Sequence, residues 1–147
     1  MWTVATQNFR LVDRLLASPS PEITSRLPPA DARLLMRYQA SEVNRLFFDR
    51  WGWTQLTLGA TLLFFVFRST SDRLLCVLVL LMLLAAAATQ FYVVPETIRL
   101  GRLLDFTPRT PPPPEAAPFW RLHTAYTALD MLKFLLGLAA TVRLTRS

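Results

Sequence analysis

Residues 74–94 form a run of 21 amino acids without one formal charge. At 1.5 Å of rise per residue a helix of that length is ~30 Å long, about the thickness of a bilayer's hydrocarbon core. No other feature restricts the fold so strongly, because backbone groups inside lipid must be satisfied within the segment itself. The whole chain of 147 residues is 52% hydrophobic and 18% charged. Soluble domains run nearer 45–50% apolar and about 25% charged. The composition argues against a soluble globule, a disordered chain and a disulfide scaffold. Cys76 is the single cysteine and sits inside the apolar run, so it reports nothing about redox compartment.

Three segments are expected to span, giving an all-α integral membrane protein. They are about residues 51–67, 74–94 and 119–142, with an amphipathic helix at the N-terminus. The six residues between the first two, Arg68 to Arg73, are a short polar turn that predicts a tight antiparallel hairpin. The apolar runs are continuous rather than alternating, which excludes a β-barrel. The chain therefore divides into an N-terminal amphipathic region (1–50), a transmembrane hairpin (51–94), a helical extension with a proline-rich connector (95–118), and a third span with a short tail (119–147).

Fifteen of the 16 basic residues are arginine, and the net charge is +6. The arginines flank apolar segments or alternate with acids, so membrane anchoring accounts for them and nucleic-acid binding is not expected. Ten fall in residues 1–50 and 95–118, against four (Arg68, Arg73, Arg143 and Arg146) on the opposite side. The N-terminal side is therefore expected to be cytoplasmic, in a bacterial inner membrane. Trp51, Trp53, Tyr92 and Trp120 would all anchor at that same interface.

Residues 2–17 place Ala5, Phe9, Val12 and Leu16 on one helical face, with Leu11 and Leu15 beside it. Two readings stand: a helix lying in the interface, or the exit turns of a first span missing from the annotated start. Ser18 to Pro21 then breaks the helix. Pro28 and Pro29 open the next one, with Asp31 in its first turn. Leu35, Gln39, Val43 and Leu46 repeat at helical spacing, and Glu42, Arg45 and Asp49 are spaced to pair along one side. This helix is expected to run into the first span, with a bend at Gly52. Pro95 predicts a kink rather than a stop, with helix continuing to about Phe106. Residues 108–114 predict a stiff polyproline spacer, either a plain connector or a ligand for a proline-binding domain.

The third span carries the constellation with chemical content. At about 100° per residue, His123, Tyr126, Thr127, Asp130, Lys133, Gly137 and Thr141 fall within an arc of roughly 120°. A charge near mid-bilayer costs about 2.5–3.5 kcal/mol even on lenient scales, and Asp130 lies near the centre of the segment. The stripe must face protein, water or a ligand. Asp130 can pair with Lys133, and Tyr126 can hydrogen-bond Asp130. Gln55, Thr89 and Gln90 are candidates to complete the network. His123 is the only histidine, and a haem or chlorophyll-type pigment would have to be held through it. There is no paired-histidine zinc motif and no glycine-rich phosphate loop, so neither enzyme activity, a metal site nor a resident cofactor is expected.

Arg121, Leu122 and His123, followed by Tyr126, Leu129, Asp130 and Gly137, resemble the last helix of the small four-span proteins of the transmembrane-protein-205-like domain of unknown function. The segment from Glu42 to Phe48, the hairpin, and the proline after the following span are similar too. The likeness covers about residues 40–142 and implies a helical membrane bundle with Arg121 and His123 near the cytoplasmic mouth. This sequence shows three clear spans where that family has four. The expected role is a non-enzymatic accessory or scaffold subunit, in contact with lipids and other integral membrane subunits. The alternatives are a small-solute or proton transporter using Asp130 and Lys133, and a pigment-binding subunit using His123.

Overall fold

The computed structural model describes residues 2–18, 26–108 and 110–145. It contains four helices and, among the described residues, no strand. They are α1 (Trp2–Ala17), α2 (Pro29–Ser69), α3 (Arg73–Leu104) and α4 (Ala116–Leu144). Helix α1 ends where the serine–proline break was expected, although most of that break, residues 19–25, lies outside the described residues.

Helix α2 starts as its sequence dictates. Pro28 precedes it, Pro29 takes the first position, where a missing N–H costs nothing, and Asp31 faces the positive end of the helix dipole. It then runs unbroken for 41 residues, ~60 Å. Only residues 70–72 separate it from α3. Asp72 closes this hairpin three ways. Its Oδ1 accepts the Leu74 and Leu75 amides at 3.0 and 3.3 Å, and its Oδ2 accepts Arg143 Nε, from the far end of α4, at 2.7 Å. The Arg143 hydrogen bond, helped by the two amides, holds the Asp72 carboxyl below its ordinary range.

Helix α3 passes through Pro95 without stopping. The adjustment comes one turn earlier, where Thr89–Val93 widens into a π-helical turn and the Val94 amide bonds the Thr89 carbonyl. Proline has no N–H for the carbonyl four residues back and its ring crowds that carbonyl; a wider turn relieves both. The helix ends at Leu104, two residues short of the expected end. The connector bends at Thr110 and Pro111 and turns at Pro114 and Glu115 into α4.

Helix α3 is the core. Leu75, Val79, Ala85, Ala86, Val93, Val94 and Leu100 are buried on it, whereas Lys133 is the only buried residue of α4. Helices α2 and α4 pack on its two sides. Helix α1 lies antiparallel along the first half of α2: Asn8 bonds Asn44 (2.6 Å) and Asp13 pairs with Arg37 (3.0 Å). It buries Val12 there and leaves Leu11 and Leu15 exposed.

Among the described residues, two helices are long and apolar enough to cross a membrane: α3, with mean hydropathy 2.5, and α4, with 1.4. Their most apolar stretches are only 33% and 17% buried. A core helix of a soluble protein this apolar would be mostly covered. Helix α2 is not among them, because Gln55, Thr54, Thr57, Thr61 and two glycines dilute residues 51–67. Its outward face is nevertheless apolar, with Phe64, Phe65 and Phe67 exposed.

The Gln90 side chain of α3 packs against Gly52 of α2, which is a packing site inside a continuous helix. A Cβ built there would lie 1.7 Å from Gln90 Oε1, against 3.0 Å from Leu83 Cδ1 at Gly59 and 3.3 Å from Met82 Cε at Gly137. Gly52→Ala is therefore expected to destabilise the bundle by about 1–3 kcal/mol, with Gly59→Ala milder and Gly137→Ala close to neutral. Thermal unfolding in detergent checks this order, and Gln90→Ala should rescue most of the Gly52→Ala loss.

Candidate functional site

The polar stripe of α4 resolves into an inner seam and an outer flank. His123, Tyr126, Asp130, Lys133 and Gly137 follow a 3-4-3-4 spacing, which keeps them on one side of a helix packed at a shallow angle. All five are buried or half-buried. Thr127 and Thr141 lie on the exposed flank, each hydroxyl bonded back to the carbonyl four residues earlier, at His123 (3.0 Å) and Gly137 (2.9 Å).

Lys133 is the centre of the seam. It is 9% exposed, and its Nζ lies 2.7 Å from Asp130 Oδ1 and 2.6 Å from Gln55 Oε1 of α2. The expected Asp130–Lys133 pair and the contribution of Gln55 are both present. The expected Tyr126–Asp130 hydrogen bond is not formed; the Tyr126 ring lies edge-on to Phe48 at 5.1 Å. His123 stacks on Phe119 (centroids 6.4 Å) and meets Trp120 edge-on (5.6 Å). The Thr89 hydroxyl bonds its own helix, at the Ala85 carbonyl, and Gln90 reaches Asp49 rather than the stripe.

A second polar group lies further along the same interior. Arg45 Nη2 sits 2.9 and 2.8 Å from the two Asp105 oxygens, and its Nη1 bonds Glu42 at 2.6 Å. Arg102 approaches Glu42 at 3.6 Å. The Asp105 side chain is 7% exposed, so this ion pair is an interior contact joining α2 to the end of α3. Gly101 lies beneath it, where a Cβ would meet Arg45 Nη2 at 3.2 Å and the Phe119 ring at 3.4 Å. Between the two groups, Gln90 Nε2 donates to Asp49 Oδ1 at 3.1 Å. Of the Glu42, Arg45 and Asp49 set, only the first two pair along α2; Asp49 points across to α3. A shallow cleft opens beside Asp49, lined by Val94, Pro95, Ile98, Arg99 and Arg102.

These contacts also fix levels along the bundle. Lys133 is opposite Gln55, Tyr126 is opposite Phe48, and Phe119 is opposite Gly101. Asp130 therefore lies at about the level of Trp51 and Trp53. The aromatic residues fall at two levels. Trp51, Trp53, Tyr92 and Trp120 are all exposed. Trp53 touches Phe91, next to Tyr92, edge-on at 5.8 Å. Trp120 follows Phe119, which packs on Gly101, ten residues and ~15 Å beyond Phe91. Three anchors share a level and the fourth lies beyond it.

Sequence reading missed the Arg45–Asp105 pair, the seat of Gln90 on Gly52, and the Asn8–Asn44 bond. Their one advance signal was the recurrence of Glu42, Arg45, Asp49, Gly52 and Gln55 at three- and four-residue steps, a continuous face mixing charge with glycine.

The fold and site thus define a helical bundle with polar contacts between its helices and large apolar side chains left exposed on its faces. Among known proteins, no family model, no curated protein and no solved structure matches the chain.

Lys133 holds two groups at once, donating a hydrogen bond to Gln55 and forming an ion pair with Asp130. Lys133→Met is expected to cost about 1–3 kcal/mol by leaving Asp130 and Gln55 without it. Adding Asp130→Leu should recover much of that loss, since a broken ion pair is worse than none. Unfolding in detergent of the single and double variants measures the difference.

Proposed function

We propose that this chain is an integral membrane protein in which α2 (through residues 51–67), α3 and α4 all cross the bilayer, and that it serves as a non-enzymatic accessory or scaffold subunit. The observation that carries this reading is the distribution of polarity. Leu80, Leu81 and Leu84 of α3 and Phe134, Leu135 and Leu138 of α4 face outward, while Lys133, Gln55, Asp49 and Arg45 each hold a protein partner inside. Lipid favours that arrangement and water opposes it.

The interior supports a structural use of the polarity over a conducting one. The polar groups run from Arg45 and Asp105, past Asp49 and Gln90, to Gln55, Lys133 and Asp130. Beyond them the bundle closes through Gly59 on Leu83, Gly137 on Met82, and Val79, which is 1% exposed. A chain of groups engaged with one another and closed at one end fixes helix register and offers no continuous path. The arginine distribution supports a cytoplasmic position for the N-terminal side, in an inner-membrane topology. Helix α1, the first half of α2, the tail of α3 and the start of α4 then form a small cytoplasmic body. The motifs resembling the transmembrane-protein-205-like family point to the same class of small helical membrane protein.

Extraction of the native protein in mild detergent, followed by native mass spectrometry, tests the role. A stable assembly with at least one other integral membrane chain is expected. A stable monomer with no partner chain would contradict it.

A further inference from the structure

One face of α2 is only half used. Arg37, Ala40 and Asn44 lie on the face that α1 covers: Asp13 pairs with Arg37, Asn8 bonds Asn44, and Ala40 is buried. The same 3-4 register continues without interruption through Phe47, Trp51, Thr54, Leu58, Thr61 and Phe65, and every one of these residues is exposed. At 100° per residue this is one seam, the spacing at which a second helix packs at a shallow angle. Helix α1 occupies its first part and stops. It begins at Trp2, six residues before Asn8, which brings its first turn level with about Arg50 on the antiparallel α2.

We propose that a single apolar transmembrane helix of a partner chain packs along Thr54, Leu58, Thr61 and Phe65, beyond the first turn of α1, continuing the line of α1 into the membrane. This inference rests on the subunit reading above and names the surface it uses. Continuity with the α1–α2 interface is its first support. The chemistry of the seam is the second. Thr54 has its hydroxyl tied to the Arg50 carbonyl at 2.9 Å, and with Thr61 it offers small side chains between large ones, the alternation that membrane helix contacts favour. Position is the third. Helix α2 has the most polar span of the three and stands at the edge of the bundle, joined to α4 by the Gln55–Lys133 bond and the Phe48–Tyr126 ring contact. The occupant is not a second α2, because a parallel copy on this seam would meet α1 at about the level of Arg50.

Photo-crosslinking in native membranes tests it, with a benzophenone amino acid placed singly at Leu58, Thr61 or Phe65, and at Phe64 or Phe67 on the same helix but off the seam. The seam positions should each give a band shifted by the mass of one partner chain, and sequencing of the cross-linked peptide should place the attachment in an apolar helix of that chain. Phe64 and Phe67 should give no such band. Cross-linking to lipid alone at the seam, equal adducts on and off the seam, or a shift equal to a second copy of this chain would each overturn the inference. If a partner co-purifies but attaches only off the seam, this surface is wrong while the subunit role stands.

Discussion

The seat of Gln90 on Gly52 governs the rest of the bundle. With no side chain at Gly52, α3 can bring a buried amide directly against the α2 backbone, and the same amide reaches Asp49. This contact sets the register of the two longest helices. Once it is set, Gln55 lies where Lys133 of α4 can reach it, and Arg45 lies where it can take Asp105 at the end of α3. The π-helical turn that carries Gln90 is itself a consequence of Pro95, so a single proline and a single glycine align the polar groups of three helices.

Charge divides the molecule into two parts. On one side of Trp53 and Tyr92, polar and ionic contacts join the helices: Asn8 with Asn44, Asp13 with Arg37, and Arg45 with Asp105. On the other side the contacts are apolar and tight, with small residues under Leu83 and Met82, until Asp72 and Arg143 close the far end. Lys133 and Asp130 mark the boundary between the two parts. Such a boundary specifies which helix faces meet, a task that uniform leucine packing leaves undecided.

Much of this was legible in the sequence. Residues 74–94 could only be a buried or spanning helix, the turn at Arg68–Arg73 could only be a hairpin, and the 100° arithmetic put Lys133 and Asp130 on one face of α4. These are local periodicities. What escaped notice was set by contacts far apart in sequence. Arg45 and Asp105 are separated by 60 residues, and nothing local distinguishes their ion pair from a solvated one. Gly52 read equally well as a bend or a notch. The level of Asp130 against the other helices, opposite Trp51 and Trp53, is likewise set by which residues of α2 lie across from it. The polar dilution of residues 51–67 reflects a helix that packs on α3 through glycines and leaves threonines on its outer side.

Site-by-site labelling tests the central claim, that the apolar belt lies in a bilayer with α2 crossing it. In a Cys76→Ser background, single cysteines at Leu35, Leu46, Leu58, Phe64 and Ser69 would be treated with a membrane-impermeant maleimide in sealed inside-out and right-side-out vesicles. The account requires Leu35 and Leu46 to react from the cytoplasmic face, Leu58 and Phe64 to stay unreactive in both preparations, and Ser69 to react from the opposite face. Labelling of Leu35 and Ser69 from the same face, or free reaction at Leu58 and Phe64, would contradict it.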